Sequence, residues 1–298
     1  MMTQTIPDGL DHVGDVYRPP AEADSILIQG AVGCSYNKCT FCGAYVRKKF
    51  RLKDRETLER DLLFAERYCH RQDRVFVLDG NALAMPVDRW VWLLETIRQR
   101  LPWVRGTATF ATGMDIAAKS DAELSRLRSL GLDRLYVGVE SGHAEVLSKV
   151  RKGIDPEGLR RQCLRARAAG FALCISVVLG IADDDVYMES ARRTGKLISA
   201  INPEEIGITM LVPQPGTIFR KDIKDGTSPL PSRDRLLREL REFYVHTDLD
   251  GGLFNGGHSS SYISFKARMP EEKAAGLACI DRALAGELQL KADALRHI

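Results

Sequence analysis

Gly33-Cys34-Ser35-Tyr36-Asn37-Lys38-Cys39-Thr40-Phe41-Cys42-Gly43 gathers three cysteines into nine residues. The chain has seven cysteines, and the other four, Cys69, Cys163, Cys174 and Cys279, stand singly. An odd count with one tight cluster reads as a metal site rather than a disulfide framework. Thiolates are soft ligands and select zinc, Cu(I) or iron-sulfur clusters. A structural zinc site wants four closed ligands, usually from paired knuckles, and here only Cys39 and Cys42 have knuckle spacing. A cubane on three cysteines leaves one iron open for chemistry. Two plainer readings stay open: zinc completed by a distant histidine such as His70, or three ordinary buried cysteines. The scattered four read as small buried hydrophobes.

Outward from this loop, apolar β-rich runs alternate with helical patterns, the signature of βαβ units and a parallel sheet. Strands are predicted over 25–30, 74–79, 107–112, 134–140, 172–180 and 205–212. Helix signals lie between them. Leu58 and Leu62 share a face within 54–68, and Pro86 suits the first turn of a helix carrying Trp90, Leu94 and Ile97. Ser120 with Glu123 forms a capping box, with Gly131 as the stop; Asp155-Pro156 opens a helix that Gly170 closes; 186–201 gives the next. Six such units predict an α/β fold, a partial (β/α)6 TIM-like barrel, with a doubly wound open sheet as the alternative. In both, ligands lie at the carboxyl ends of the strands.

Past Phe219 the pattern changes. Residues 221–234 read as a connection, 236–243 as a helix, 251–262 as a glycine-rich stretch and 270–298 as helical. The expected layout is an N-terminal extension over 1–23, the barrel over 24–219 and a mostly helical C-terminal cap over 220–298.

Composition bounds the rest. The 298 residues are 44% hydrophobic, enough for a full core, and the formal net charge is only +3. That balance argues against a dedicated nucleic-acid partner. No run of about 18 apolar residues exists to span a membrane. The polar start, Met1 to Leu10, lacks the regions of a signal peptide, so a cytosolic, reducing location is expected.

The cysteine loop after the first strand, with aromatic Phe41 just before the third cysteine, resembles the radical S-adenosylmethionine (SAM) superfamily. Four residues, not the commoner three, separate Cys34 from Cys39. The resemblance implies a [4Fe-4S] cluster on Cys34, Cys39 and Cys42, whose open iron chelates SAM. One-electron reduction then yields a 5′-deoxyadenosyl radical that abstracts hydrogen from substrate. It further implies SAM contacts along successive strand ends. Asp79, Gly80 and Asn81 stand where a Gly/Glu motif is placed after the second strand. Glu140 and Ser141 stand at the fourth, with Lys152 as a partner for the SAM carboxylate. Ser176 falls at a ribose position on the fifth, and Leu211 and Val212 at the edge backing adenine on the sixth. The run to Thr217 is similar to oxygen-independent coproporphyrinogen oxidases and tRNA methylthiotransferases. The tail motif His258-Ser259-Ser260-Ser261-Tyr262 resembles a further branch of the superfamily and brings no substrate with it.

Such chemistry is oxygen-sensitive and needs a closed pocket, which the cap would supply. Asp115, Asn255 and His258 are the candidate substrate contacts. No second cysteine cluster and no Asp-x-His-x-x-Gly cobalamin signature is present. The expected substrate is a small molecule or cofactor precursor, and the expected electron donor a one-electron reductase such as flavodoxin or ferredoxin. Two alternatives stand beside this reading: radical modification of RNA or peptide, and a non-enzymatic iron-sulfur or zinc protein.

Overall fold

A computed structural model describes residues 9–297. The first eight residues of the expected N-terminal extension therefore lie outside it. In chain order the elements are β1 (Ile26–Gln29), β2 (Ala31–Val32), β3 (Arg51–Leu52), α1 (Arg55–Tyr68), β4 (Arg74–Leu78), α2 (Val87–Arg100) and β5 (Gly106–Ala111). Then come α3 (Gly113–Ala117), α4 (Asp121–Ser129), β6 (Leu132–Glu140), α5 (Ala144–Lys149), α6 (Pro156–Ala168), β7 (Ala172–Leu179), α7 (Tyr187–Ile201) and β8 (Glu205–Met210). The chain ends with α8 (Ile218–Lys224), α9 (Arg233–Val245), β9 (Leu253–Asn255), β10 (Lys266–Arg268) and α10 (Lys273–Leu284).

Eight strands follow the order β1-β4-β5-β6-β7-β8-β9-β10, and β2 pairs with β3 in a separate hairpin. The pairs β1/β4, β4/β5, β7/β8 and β8/β9 are parallel, whereas β10 runs antiparallel to β9. Spatial order follows chain order, with no point where it reverses. That is the winding of a partial barrel, since a doubly wound sheet needs a switch point. All six expected strands form.

Local signals set the helix starts. Asp54 accepts the Thr57 N–H at 2.7 Å, and Ser120 with Glu123 forms the capping box expected of α4. Asp155 accepts the Gly158 N–H at 2.6 Å, with Pro156 in the first turn of α6. Pro86 is the residue before α2 rather than its first.

The chain divides into two compact units. Among the described residues, one holds 9–37, Ala44–Tyr136 and Arg165–Ala172. Its core includes fully buried Phe76 and Trp90, with Phe76, Phe110 and Tyr136 packed edge to face at 5.1–6.1 Å. The other holds Lys38–Gly43, Val137–Leu164 and 173–297. There Gly195 lets α7 approach α9: a Cβ at that position would lie 2.7 Å from the His246 carbonyl. Phe243, Tyr244 and Phe254 are buried together beneath Phe265.

The tail is less helical than its sequence suggests. β9 extends the parallel sheet beside β8, and β10 adds an antiparallel edge strand to it. Each has three residues, too few to show a period of two; pairing of β9 with the β8 edge, and of β10 with β9, makes them strands. Helix α8 also occupies the start of the expected connection. Helix α10 stops at Leu284, well short of the helical stretch expected over 270–298.

Candidate active site

The residues of 79–81 meet those of 33–35 one for one. Asp79 is fully buried, and its Oδ2 accepts the Gly33 N–H at 3.1 Å, Gln29 Nε2 at 2.8 Å and Lys48 Nζ at 3.2 Å. Gly80 lies against Cys34; a Cβ there would stand 2.6 Å from that of Cys34. Asn81 accepts the Ser35 N–H at 2.8 Å and donates to Ser35 Oγ at 2.7 Å. Its amide also donates to Asp115 at 3.0 Å. Asp115 is buried in the capping box of α3 with Thr112, and burial pushes its carboxyl up. Asp79, Asn81 and Asp115 are thus brought together around Cys34.

Cys39 and Cys42 belong to the second unit, in a turn closed by Cys42 N–H to Cys39 C=O at 3.3 Å. Thr40 anchors it at both peptide groups: its N–H donates to Val150 C=O, and its C=O accepts from Phe219 N–H, both at 3.0 Å. Phe41 packs on an apolar cluster of Val146, Val150, Ile181, Leu211 and Phe219. Lys152 donates to Glu140 at 2.9 Å, and both side chains are buried. Burial alone would pull the Lys152 ammonium down, but Glu140, Cys39 and Cys42 outweigh it and hold it above its ordinary value. Glu140 sits at φ +66. A non-glycine residue in that region stores on the order of 1–3 kcal/mol and is a mark of functional strand ends. Gly138 is required beside it, because a Cβ there would strike both Glu140 and Lys152.

Ser141 turns instead toward α7, at 2.9 Å from Ser190 Oγ. Ser176 is half-buried on β7 opposite Gly207 of β8. Leu211 is buried, Val212 half-buried. Asn255 donates to Glu205 at 2.9 Å. His258 Nδ1 accepts from both Ser260 Oγ (2.8 Å) and Ser260 N–H (3.1 Å), which leaves the ring proton of the neutral form on Nε2. Burial, with His297 and Lys291 nearby, pushes the His258 pKa down.

None of the seven cysteines forms a disulfide, and Cys34, Cys39 and Cys42 are all half-buried. Among the described residues, no three His, Cys, Asp or Glu side chains converge as a ready-made metal group. Three undisulfided soft donors in one loop, two of them acting on a buried cation, fit an iron-sulfur cluster in donor chemistry. His70 rests on the Trp103 ring at 4.4 Å. Of the four scattered cysteines, Cys163 and Cys174 are buried as expected, whereas Cys69 and Cys279 are half-buried; burial pushes the Cys163 thiol up to about 12, that of an inert core residue.

The sequence profile of the Radical SAM superfamily matches residues 28–193, more than half of the chain. The chain belongs to the radical SAM superfamily. Its members are enzymes that use a [4Fe-4S] cluster and SAM. Biotin synthase of Parafrankia sp. (strain EAN1pec) is 24% identical over 151 residues, 51% of this chain and 39% of that protein. Hopanoid C-3 methylase of Methylococcus capsulatus (strain ATCC 33009 / NCIMB 11132 / Bath) is 24% identical over 225 residues, 74% of this chain and 40% of that protein. The chain spans about two-fifths of the length of these relatives. Coproporphyrinogen III oxidase from Escherichia coli, a radical SAM enzyme, superposes with a TM-score of 0.57 at 20% identity over 84% of this chain and 57% of that one. This likeness is one of fold.

Several polar residues of this superfamily member carried no sequence signal. Glu239 of α9 accepts the Gly180 N–H at 3.0 Å, and burial pushes its carboxyl up to about 7. Arg296 donates to the carbonyls of Leu211 (2.9 Å) and Ser260 (2.6 Å). Glu205 and Thr209 alternate with buried Ile206 and Ile208 on β8, a period of two that does mark a half-open sheet face. Among the described residues, no helix is long and apolar enough to cross a membrane.

Proposed function

We propose that this protein is a radical SAM enzyme acting on a small molecule, with Cys34, Cys39 and Cys42 holding its [4Fe-4S] cluster. The observation that carries the proposal is the buried Lys152–Glu140 pair at 2.9 Å, a cation that Glu140, Cys39 and Cys42 together hold above its ordinary value. When bound, the cluster and SAM supply a 5′-deoxyadenosyl radical that removes a hydrogen atom from the substrate.

The chain's own residues bind and orient. Asp79, Gly80 and Asn81 fix the loop that carries Cys34. Lys152, held by Glu140, offsets the charge of the thiolates and offers a partner to the SAM carboxylate. Ser176, Leu211 and Val212 offer a surface for its nucleoside. The cap over 220–298 keeps water out, and Asn255 and His258 contribute polar groups toward substrate. A cytosolic site, oxygen sensitivity and a flavodoxin or ferredoxin donor belong to the same proposal.

The test is anaerobic reconstitution followed by SAM and dithionite, with 5′-deoxyadenosine measured. Its formation, and its loss in Cys42→Ala, are expected. A fully loaded cluster that neither cleaves SAM nor changes spectrum on adding it would overturn the proposal.

A further inference from the structure

We infer that the β2–β3 hairpin is the docking surface for an acidic one-electron carrier protein. The inference rests on the proposed cluster at Cys34. Within the hairpin, buried β2 pairs with solvent-facing β3, in the register Ala31 to Leu52 and Val32 to Arg51. Val46 is 44% exposed and Leu52 36%. The basic residues of 47–53 divide by role. Lys48 turns inward to Asp79, and Lys53 to Asp11 and Asp61. Arg47, Lys49 and Arg51 are exposed and, among the described residues, enter no ion pair. Three uncompensated cations beside two exposed aliphatic side chains have the composition of a small transient interface. Such charges raise the rate of encounter with an acidic partner.

Position favours an electron carrier over nucleic acid. Val32, bonded across the hairpin to Arg51, lies two residues before Cys34. Gly33 packs so close to Lys48 that a Cβ would stand 2.8 Å from its carbonyl oxygen. The exposed cations and the first cysteine thus share one short piece of backbone. The basic run is also brief, since Asp54 and Glu56 interrupt it on either side of Arg55; a nucleic-acid footprint needs a longer stripe. In the step served here, the reduced carrier loses one electron and the oxidised cluster gains it, with no bond or proton exchanged.

Flavodoxin is the probe. The full chain, reconstituted anaerobically, and its Arg47→Glu/Lys49→Glu/Arg51→Glu variant are compared in two measurements. One is the Kd of oxidised flavodoxin against ionic strength; the other is the stopped-flow rate of cluster reduction by flavodoxin hydroquinone. The variant is expected to lose about tenfold or more in both at low salt, with the gap closing as salt screens the charges. SAM cleavage driven by photoreduced deazaflavin should be unchanged. Leu52→Ser, with all charges kept, should speed dissociation. Unchanged affinity and rate in the charge variant would overturn the inference. So would equal slowing with deazaflavin, or a loss of RNA retention with flavodoxin affinity intact. Failure of deazaflavin to drive SAM cleavage in the unaltered chain would instead sink the proposed function, while the flavodoxin affinities still judge the surface.

Discussion

Asp79 accepts the backbone N–H of Gly33 at 3.1 Å, one residue ahead of Cys34. Gly80 packs against Cys34, and Asn81 accepts the Ser35 N–H, so three consecutive residues after β4 meet three consecutive residues of the cysteine loop. In this chain the segment expected to meet SAM also organises a loop. The Asp79 Oδ1 is buried without a hydrogen-bond partner, while Oδ2 takes three donors.

Asp79→Ala should therefore act on the loop before it acts on SAM. Removing the carboxylate leaves the Lys48 ammonium, which is only 11% exposed, with the Asp15 carbonyl but no counter-charge, and should destabilise the apo-protein by about 3 kcal/mol. Urea unfolding and iron content per chain check this. Weaker iron retention with unchanged SAM affinity in the loaded fraction marks a positioning residue. Full iron loading with weakened SAM affinity would assign Asp79 to SAM instead.

Gly80→Ala should hold its fold and lose its cluster. The added methyl meets the Cys34 Cβ and Cα, at 2.6 and 2.9 Å, rather than the end of a flexible side chain. We expect iron occupancy to fall severalfold with far-UV circular dichroism unchanged. Normal loading would show that the loop shifts freely.

Lys152 and Glu140 should behave as one unit. Each single change, Lys152→Met or Glu140→Gln, leaves a buried charge and should cost about 3 kcal/mol. The double variant should lose well under the sum, a coupling read from a double-mutant cycle in urea. Lys152→Met should also weaken SAM binding about tenfold in a spectral titration.

Glu239 gives the protein a pH signature. Its folded pKa is pushed up from 4.5 to about 7, first by burial, against the opposing effects of the Gly180 N–H and Arg235. A raised carboxyl pKa favours the protonated form in the fold. Its contribution is thus fully present below pH 4.5 and is lost as pH rises through 7, by about 3 kcal/mol in all. Glu239→Gln should flatten stability between pH 5 and 7.5 and be the more stable protein at pH 8. Parallel stability curves for the two proteins would show that Glu239 is ionised throughout.

Tyr262→Phe should loosen the end of the chain. The Tyr262 hydroxyl joins Asp293 to Arg296, whose guanidinium also reaches the Leu211 carbonyl. Losing it should cost about 1 kcal/mol and speed amide exchange over 287–297, with β8 unaffected. Uniform acceleration would indicate global destabilisation.

Six strands, most helix starts and the cysteine loop were legible because each rests on local chemistry. Apolar runs, Asp155-Pro156 and the Ser120/Glu123 box need no distant partner to be recognised. The strand character of β9 was not legible, because three residues beside glycines become a strand only when β8 offers an edge. Nor was the inward turn of Lys48 and Lys53, flanked by Arg47, Lys49 and Arg51 that stay in water. Five cations in seven residues look alike until their buried carboxylates are placed.

By itself the sequence pointed to the family, the alternation of strands and helices and one cluster of three soft donors, since motif spacing and hydrophobic period are properties of the chain. Only the tertiary structure decided which side chains work together. It set Asp79, Gly80 and Asn81 against the Cys34 loop, and Lys152 against Glu140 under the influence of Cys39 and Cys42. Burial and pairing depend on residues distant in sequence, and those terms exist only once the chain has folded.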